Sequence, residues 1–116
     1  IPRAGKILMV RNLNEVRWDF PGGRLNLNEF PTTGLVRELQ EEIGCVCTIG
    51  RMVYANQFMH GATKKPCLFL NYEVSMQGEI DLAEDELSEF TWIDPSTLHP
   101  EQTFPNCTEA IAEYLK

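Results

Sequence analysis

Apolar positions along the chain recur with two different periods, and the switches between them mark out the elements. Lys6 to Arg11 carries a short apolar run, Ile7-Leu8-Met9-Val10, bounded by turn formers, which predicts a buried strand. Asn12-Leu13-Asn14-Glu15 supplies turn chemistry, and Val16-Arg17-Trp18-Asp19-Phe20 alternates as a second strand. Pro21-Gly22-Gly23 breaks regular structure and opens a loop reaching about Pro31. From roughly Gly34 to Ile43 the period becomes helical, with Thr32 or Thr33 available as the cap and Gly44 suited to a left-handed close.

Cys45 to Phe58 is rich in β-formers, with Gly50 a candidate bulge, and a loop is predicted over 61–66. Cys67-Leu68-Phe69-Leu70-Asn71-Tyr72-Glu73-Val74 predicts a strand buried on both faces. An acidic segment from Glu79 to Glu89 precedes a short strand at Phe90-Thr91-Trp92-Ile93, and Asp94-Pro95-Ser96 is a turn. Asn106 to Lys116 fits an amphipathic terminal helix with Ile111 and Leu115 four apart. Strands, helix, strands, helix make a mixed α/β chain, and its 116 residues predict one domain over 1–116. The start runs from Ile1-Pro2-Arg3 almost at once into apolar sequence, so we expect residues, a first strand among them, to precede it.

Charge alters the functional picture. Seventeen acidic residues against ten basic give a net −7, which argues against sequence-independent binding to a nucleic-acid backbone. A small anionic substrate is still compatible, because bound cations reverse the sign of a site locally. The four cysteines form no C-x-x-C pair and predict free, buried or half-buried thiols in a reducing compartment, with the cytoplasm as the default location. No apolar stretch is long enough for a membrane span.

Within the predicted helix, Glu38, Glu41 and Glu42 stand at i, i+3 and i+4, inside an arc of about 100°. Val36, Leu39 and Ile43 fall toward the opposite side. Three clustered carboxylates repel one another and weaken a helix. As hard oxygen ligands on a rigid element they suit Mg²⁺ or Mn²⁺, which would draw phosphate oxygens to an acidic site. Arg37 is adjacent and can hold a carboxylate or contact phosphate through its fork of donors.

Gly23, five residues, Glu29, seven residues, and then Arg37-Glu38-Leu39-Gln40-Glu41-Glu42-Ile43-Gly44 resembles the Nudix box, G-x5-E-x7-R-E-U-x-E-E-x-G-U, where U is a bulky apolar residue. Cys45 takes the final apolar position, and Asn28 stands where the family often has glycine. Trp18-Asp19-Phe20-Pro21-Gly22-Gly23 looks like the usual entry to the box, and Phe90 to Ile93 with the following turn looks like the family's late strand.

The resemblance implies a Nudix α/β/α sandwich with a mixed β-sheet and the box as loop–helix–loop. It implies hydrolysis of a phosphoanhydride in a nucleoside diphosphate derivative, with Mg²⁺ or Mn²⁺ as cofactor. Glu41 and Glu42 are then metal ligands, Glu38 a ligand or general base, and the Gly22 carbonyl a further ligand. Arg37 orients the catalytic glutamate, Glu29 braces the loop, and Gly23 and Gly44 shape its ends. An acid outside the box often assists; of Glu84, Asp85, Glu86 and Glu89 we favour Glu86.

For substrate contacts, Phe58, His60 and Phe104 are candidates to stack on a base, although packing is the commoner role of such residues. Asn106 is a candidate polar contact, two residues before Thr108, which holds the place where the triphosphate branch reads its base. The first expectation is a (deoxy)nucleoside triphosphate pyrophosphohydrolase. An ADP-ribose or nucleotide-sugar pyrophosphatase, or a non-catalytic ligand-sensing domain, is the alternative. A homodimer is expected from the family's habits.

Overall fold

The computed structural model describes the chain apart from residues 27 and 61–63. Strand β2 (Lys6–Asn12) lies at its centre and is buried on both faces. Alternation explains how: Leu8 and Val10 point one way and Ile7 and Met9 the other. Leu8 and Val10 meet Leu39 and Ile43 of helix α1 (Pro31–Ile43), together with Cys45, Cys47, Val74 and Leu87. Ile7 and Met9 meet Cys107 and Ile111 of helix α2 (Pro105–Tyr114). A helix on each side of a sheet is the expected α/β/α sandwich.

Strand β1 (Pro2–Arg3) pairs antiparallel with β2, and β5 (Leu87–Ile93) pairs antiparallel on its other edge. Strands β3 (Val46–Met59) and β4 (Pro66–Gln77) form a long two-stranded antiparallel ribbon. Its register shifts between Ile49 and Met52, which places the expected irregularity at Gly50. The predicted loop at 61–66 lies partly outside the described residues; Pro66 already belongs to β4.

Several elements differ from the reading of the sequence. The second strand at 16–20 is only two isolated bridges, Val10 with Asp19 and Trp18 with Thr103. Trp18 N–H donates to Gln102, while Asp19 exchanges both backbone bonds with Val10, so adjacent residues serve different neighbours and no ladder extends. Helix α1 starts at Pro31 rather than Gly34; Phe30 is the N-cap and gives no side-chain bond, so Thr32 and Thr33 sit inside the first turn. Proline supplies that start, since its fixed φ suits the first helical position and its missing N–H leaves one donor fewer to satisfy there.

At the other end, Gly44 adopts φ 67° and returns its N–H to Gln40, the left-handed close expected of it. The inward stripe of α1 is Leu35, Leu39 and Ile43, while Val36 is 37% exposed. Strand β4 is not buried on both faces: Val74 is buried, but Leu68 near the tip is 63% exposed, because a two-stranded ribbon projects beyond the core. Strand β5 begins at Leu87, inside the acidic segment, because Leu87 anchors it in the core. Helix α2 closes at Tyr114, so Leu115 is half-exposed and Cys107, Ala110 and Ile111 make the buried stripe. Among the described residues no helix is long and apolar enough to cross a membrane.

Candidate active site

The loop before α1 is held to the helix by one arginine. Arg37 Nε and Nη2 donate to the two oxygens of Glu29, at 3.2 and 2.7 Å, and Nη2 also donates to the Arg24 carbonyl at 3.1 Å. Arg37 Nη1 donates to Glu38 at 2.8 Å and to Glu41 at 3.2 Å. Five N–H groups thus meet loop and helix acceptors, so as it stands this guanidinium positions carboxylates and has no donor to spare for a substrate phosphate. Glu29 also accepts from Asn26 N–H at 2.6 Å. The Arg37 guanidinium and that N–H hold its carboxyl below the usual carboxylate range, and Glu29, Glu38 and Glu41 raise Arg37 in turn. Asn28 has φ 67°, a conformation that glycine adopts at no cost and asparagine tolerates, which accounts for its standing at a glycine position.

The three helix glutamates are not equivalent. The Glu41 side chain is 58% exposed, Glu38 is 17% exposed, and Glu42 is buried. Glu42 lies at the edge of the apolar stripe and accepts a single backbone bond, from Gly22 N–H at 3.3 Å. Burial pushes its carboxyl up to about 7; the Gly22 bond opposes this, and the charges of Glu38, Glu86 and Asp19 add to it. Glu38 lies against the Gly23 Cα so closely that any Cβ there would overlap its carboxylate.

Of the four candidate acids outside the box, Glu86 is the one whose charge acts on Glu42, beside that of Asp19. The preceding turn is pinned to the end of α1, with Asp81 N–H donating to Ile43 O at 2.8 Å and Ala83 N–H to Glu42 O at 2.9 Å. All four candidates are exposed, and Glu89 is ion-paired with Arg11.

Beside these carboxylates opens a cleft of about 590 Å³, in the size range of small-ligand sites. Gly22, Gly23 and Arg24 form one wall, His60 and Phe69 to Tyr72 of the ribbon another, and Asp19 and Asn106 also line it. A second cavity, of about 100 Å³, lies between β2, the ribbon and α2 and is too small for a nucleoside.

Of the candidate substrate contacts, Asn106 and His60 therefore line the cleft. Phe58 and Phe104 do not line it. Phe58 packs edge-on against Phe69, ring centroids 5.6 Å apart, and Phe104 packs on the α2 side of the core beneath the Arg17 guanidinium.

Reading of the sequence missed Asp19 and Asn71. Asp19 accepts from Phe20 N–H at 2.8 Å and from Cys107 Sγ at 3.3 Å, and burial raises its carboxyl. Asn71 donates to the Tyr54 carbonyl at 3.4 Å. Asn71 carried a signal, a polar residue set inside a largely apolar run, whereas Asp19 is in phase with the alternation of 16–20 and carried none.

The donor set is hard oxygen throughout. Among the described residues no three acidic, histidine or cysteine side chains enclose a cation as they lie. Arg37 draws Glu38 and Glu41 toward itself, whereas Glu42, buried among like charges with one N–H, is the carboxylate most in need of a cation. Mg²⁺ needs no all-protein cage, since waters and substrate phosphates complete its shell. The residues fit such an ion.

Comparison with known proteins identifies the family and the fold. A MutT-like protein of Streptomyces ambofaciens is 29% identical over 93 residues, 78% of this chain and 56% of its own length. An RNA pyrophosphohydrolase of Pseudomonas putida is 46% identical over 41 residues, 35% of this chain and 26% of its own length. The chain thus spans about half of the first relative and matches about a quarter of the second. The crystal structure of the MutT NUDIX hydrolase from Burkholderia pseudomallei superposes with a TM-score of 0.82 at 21% identity, over 97% of this chain and 91% of that one. The NUDIX domain profile matches residues 1–114, and with the box intact on α1 the chain belongs to the Nudix hydrolase family.

Proposed function

We propose that this chain hydrolyses a phosphoanhydride bond in a nucleoside diphosphate derivative, with (deoxy)nucleoside triphosphates as the first substrate class. The observation that carries this reading is Glu42, buried beside Glu38 and Glu86 at the edge of a cleft wide enough for a nucleotide. The triphosphate class is preferred over ADP-ribose and nucleotide sugars on the resemblance of the ending, Phe104 to Ile111, to the family's triphosphate branch.

Glu38, Glu41, Glu42, Glu86 and the Gly22 carbonyl would hold Mg²⁺ or Mn²⁺. The bound ions would neutralise the diphosphate and lower the pKa of a coordinated water. Arg37 keeps Glu38 and Glu41 in place against repulsion, and Glu38, pressed on Gly23 of the cleft wall, is the candidate base. Phe69 and Tyr72 offer apolar surface to a nucleoside, with Asn71, Asn106 and Asp19 as polar contacts. The four free thiols suit a reducing compartment such as the cytoplasm.

The test is phosphate-product release from nucleoside triphosphates, ADP-ribose and nucleotide sugars, with and without Mg²⁺ or Mn²⁺, beside Glu42→Gln. We expect metal-dependent turnover of at least one triphosphate, reduced by orders of magnitude in the variant. Undiminished turnover in Glu42→Gln removes that residue from the metal site. Silence across the panel with ligand binding intact makes the domain a sensor.

A further inference from the structure

We propose that Glu109, bound by Tyr54 and Asn56, latches helix α2 to the ribbon and so positions Asn106 for recognition of a nucleobase. The proposal rests on the reading of the cleft as a nucleotide site. Two asparagines line that cleft from separate elements, Asn71 on β4 and Asn106 as the second residue of α2. Each amide can donate and accept, as the mixed edge of a base requires. Asn71 is anchored, because its Nδ2 donates to the Tyr54 carbonyl at 3.4 Å across the ribbon. Among the described residues the Asn106 side chain makes no hydrogen bond, so its place in the cleft follows from where α2 lies.

Cys107, Ala110 and Ile111 bring α2 onto the core, but apolar burial is non-directional and sets no register along the ribbon. Direction comes from Glu109. It follows Asn106 by three residues, which makes the two neighbours on the helix surface. Its Oε2 accepts from the Tyr54 hydroxyl at 3.3 Å and from Asn56 Nδ2 at 3.2 Å. The Asn56 amide also donates to the Tyr54 hydroxyl at 3.1 Å. The three groups thus close a ring in which the hydroxyl both donates and accepts, so that the bonds reinforce one another. Among the described residues no lysine or arginine pairs with Glu109, and both of its donors are neutral groups of one strand, two residues apart.

The route from the latch to the cleft is short on both sides. Tyr54 stands directly across the ladder from Asn71 and accepts its bond, while Glu109 is one turn from Asn106. Without the latch the core contacts of α2 remain, and Asn106 is free to shift relative to Asn71. Stability should change little, since Glu109 is exposed. Recognition should suffer, because a base edge has to meet both amides at once.

NMR titration of the protein in EDTA with AMP, GMP, CMP and UMP reads base recognition without any metal. We expect the wild type to prefer at least one of the four. Glu109→Ala should bind that nucleotide about fivefold more weakly at an unchanged melting temperature. Glu109→Gln, which keeps an acceptor in place, should recover most of the loss. In an Asn106→Ala background Glu109→Ala should cost nothing further, whereas a merely structural role would cost the same in both. Should Glu109→Ala fail to fold, Tyr54→Phe removes one donor of the ring and takes its place in the cycle. A loss that persists in the Asn106→Ala background overturns the latch, as does no loss at all, or a wild type that binds the four alike or not at all. Metal-dependent turnover in the substrate panel beside any of those results leaves the hydrolase standing. A loss that depends on Asn106, without turnover, supports the latch in a site that does not hydrolyse.

Discussion

Glu42 occupies a position that a helix ordinarily fills with an apolar side chain, and this sets its chemistry. Its folded-state carboxyl titrates at about 7, against 4.5 for an ordinary glutamate, with burial as the first cause. The folded protein keeps this proton at pH values where the unfolded chain has released it. Stability from this group is thus present below pH 4.5 and declines as pH rises toward 7. Asp19, also raised, acts in the same sense. Urea midpoints in EDTA should accordingly fall between about pH 4.5 and 7 more steeply in the wild type than in Glu42→Gln. Parallel curves would mean that Glu42 is already ionised in the folded state. Gly23 gives a second residue-scale prediction. A methyl group there overlaps the free end of Glu38, which can swing aside, so Gly23→Ala should melt near the wild-type temperature. Turnover should drop by on the order of a hundredfold, because the displaced carboxylate no longer meets its target. Unchanged turnover at unchanged stability would show that Glu38 has no fixed place in the reaction.

At the scale of elements, α1 is where sequence and structure agree most closely, and the reason is redundancy. Leu39, Ile43 and the glutamates repeat at helical spacing and Gly44 ends the helix at φ 67°, so several independent signals mark one object. Leu39 is 1% exposed, and its truncation to alanine should cost ~2–5 kcal/mol in urea unfolding. A loss much smaller than that would contradict the packing of α1 on β2. Where a single weak signal carried the reading, it failed. Thr32 and Thr33 are good caps by residue type, but Pro31 starts the helix ahead of them. The alternation at 16–20 is real, yet Trp18 and Asp19 find backbone partners in different elements, which no local pattern announces. Strand β4 reads as buried because its residues are apolar; its exposure follows from a ribbon with only two strands, which is a property of the partner and not of the segment.

For the whole molecule, the box disclosed the carboxylates beside the cleft and little of its walls. Glu38, Glu41 and Glu42 are close in sequence, so their juxtaposition follows from helix geometry alone. The remaining walls come from Asp19, from His60 and the ribbon at 67–72, and from Asn106 on α2, and only tertiary packing brings these together. Asn71 was visible as a polar interruption of an apolar run and Asp19 only as one polar position of an alternating segment, without any indication that they share a cavity. Phe58 and Phe104 were plausible by type, but the fold spends one on Phe69 and the other on the α2 core.

The β3–β4 ribbon lines one wall of the cleft, yet none of the box residues lie on it. Under the proposed function the chain would keep what breaks the bond and what selects the molecule on separate stretches of polypeptide. Substitutions at His60 or at Phe69 to Tyr72 can change which compounds are accepted while the carboxylates and their arginine stay in register. In a lineage of duplicated genes, such a division lets new substrates be explored one ribbon residue at a time, with the hydrolytic apparatus inherited intact.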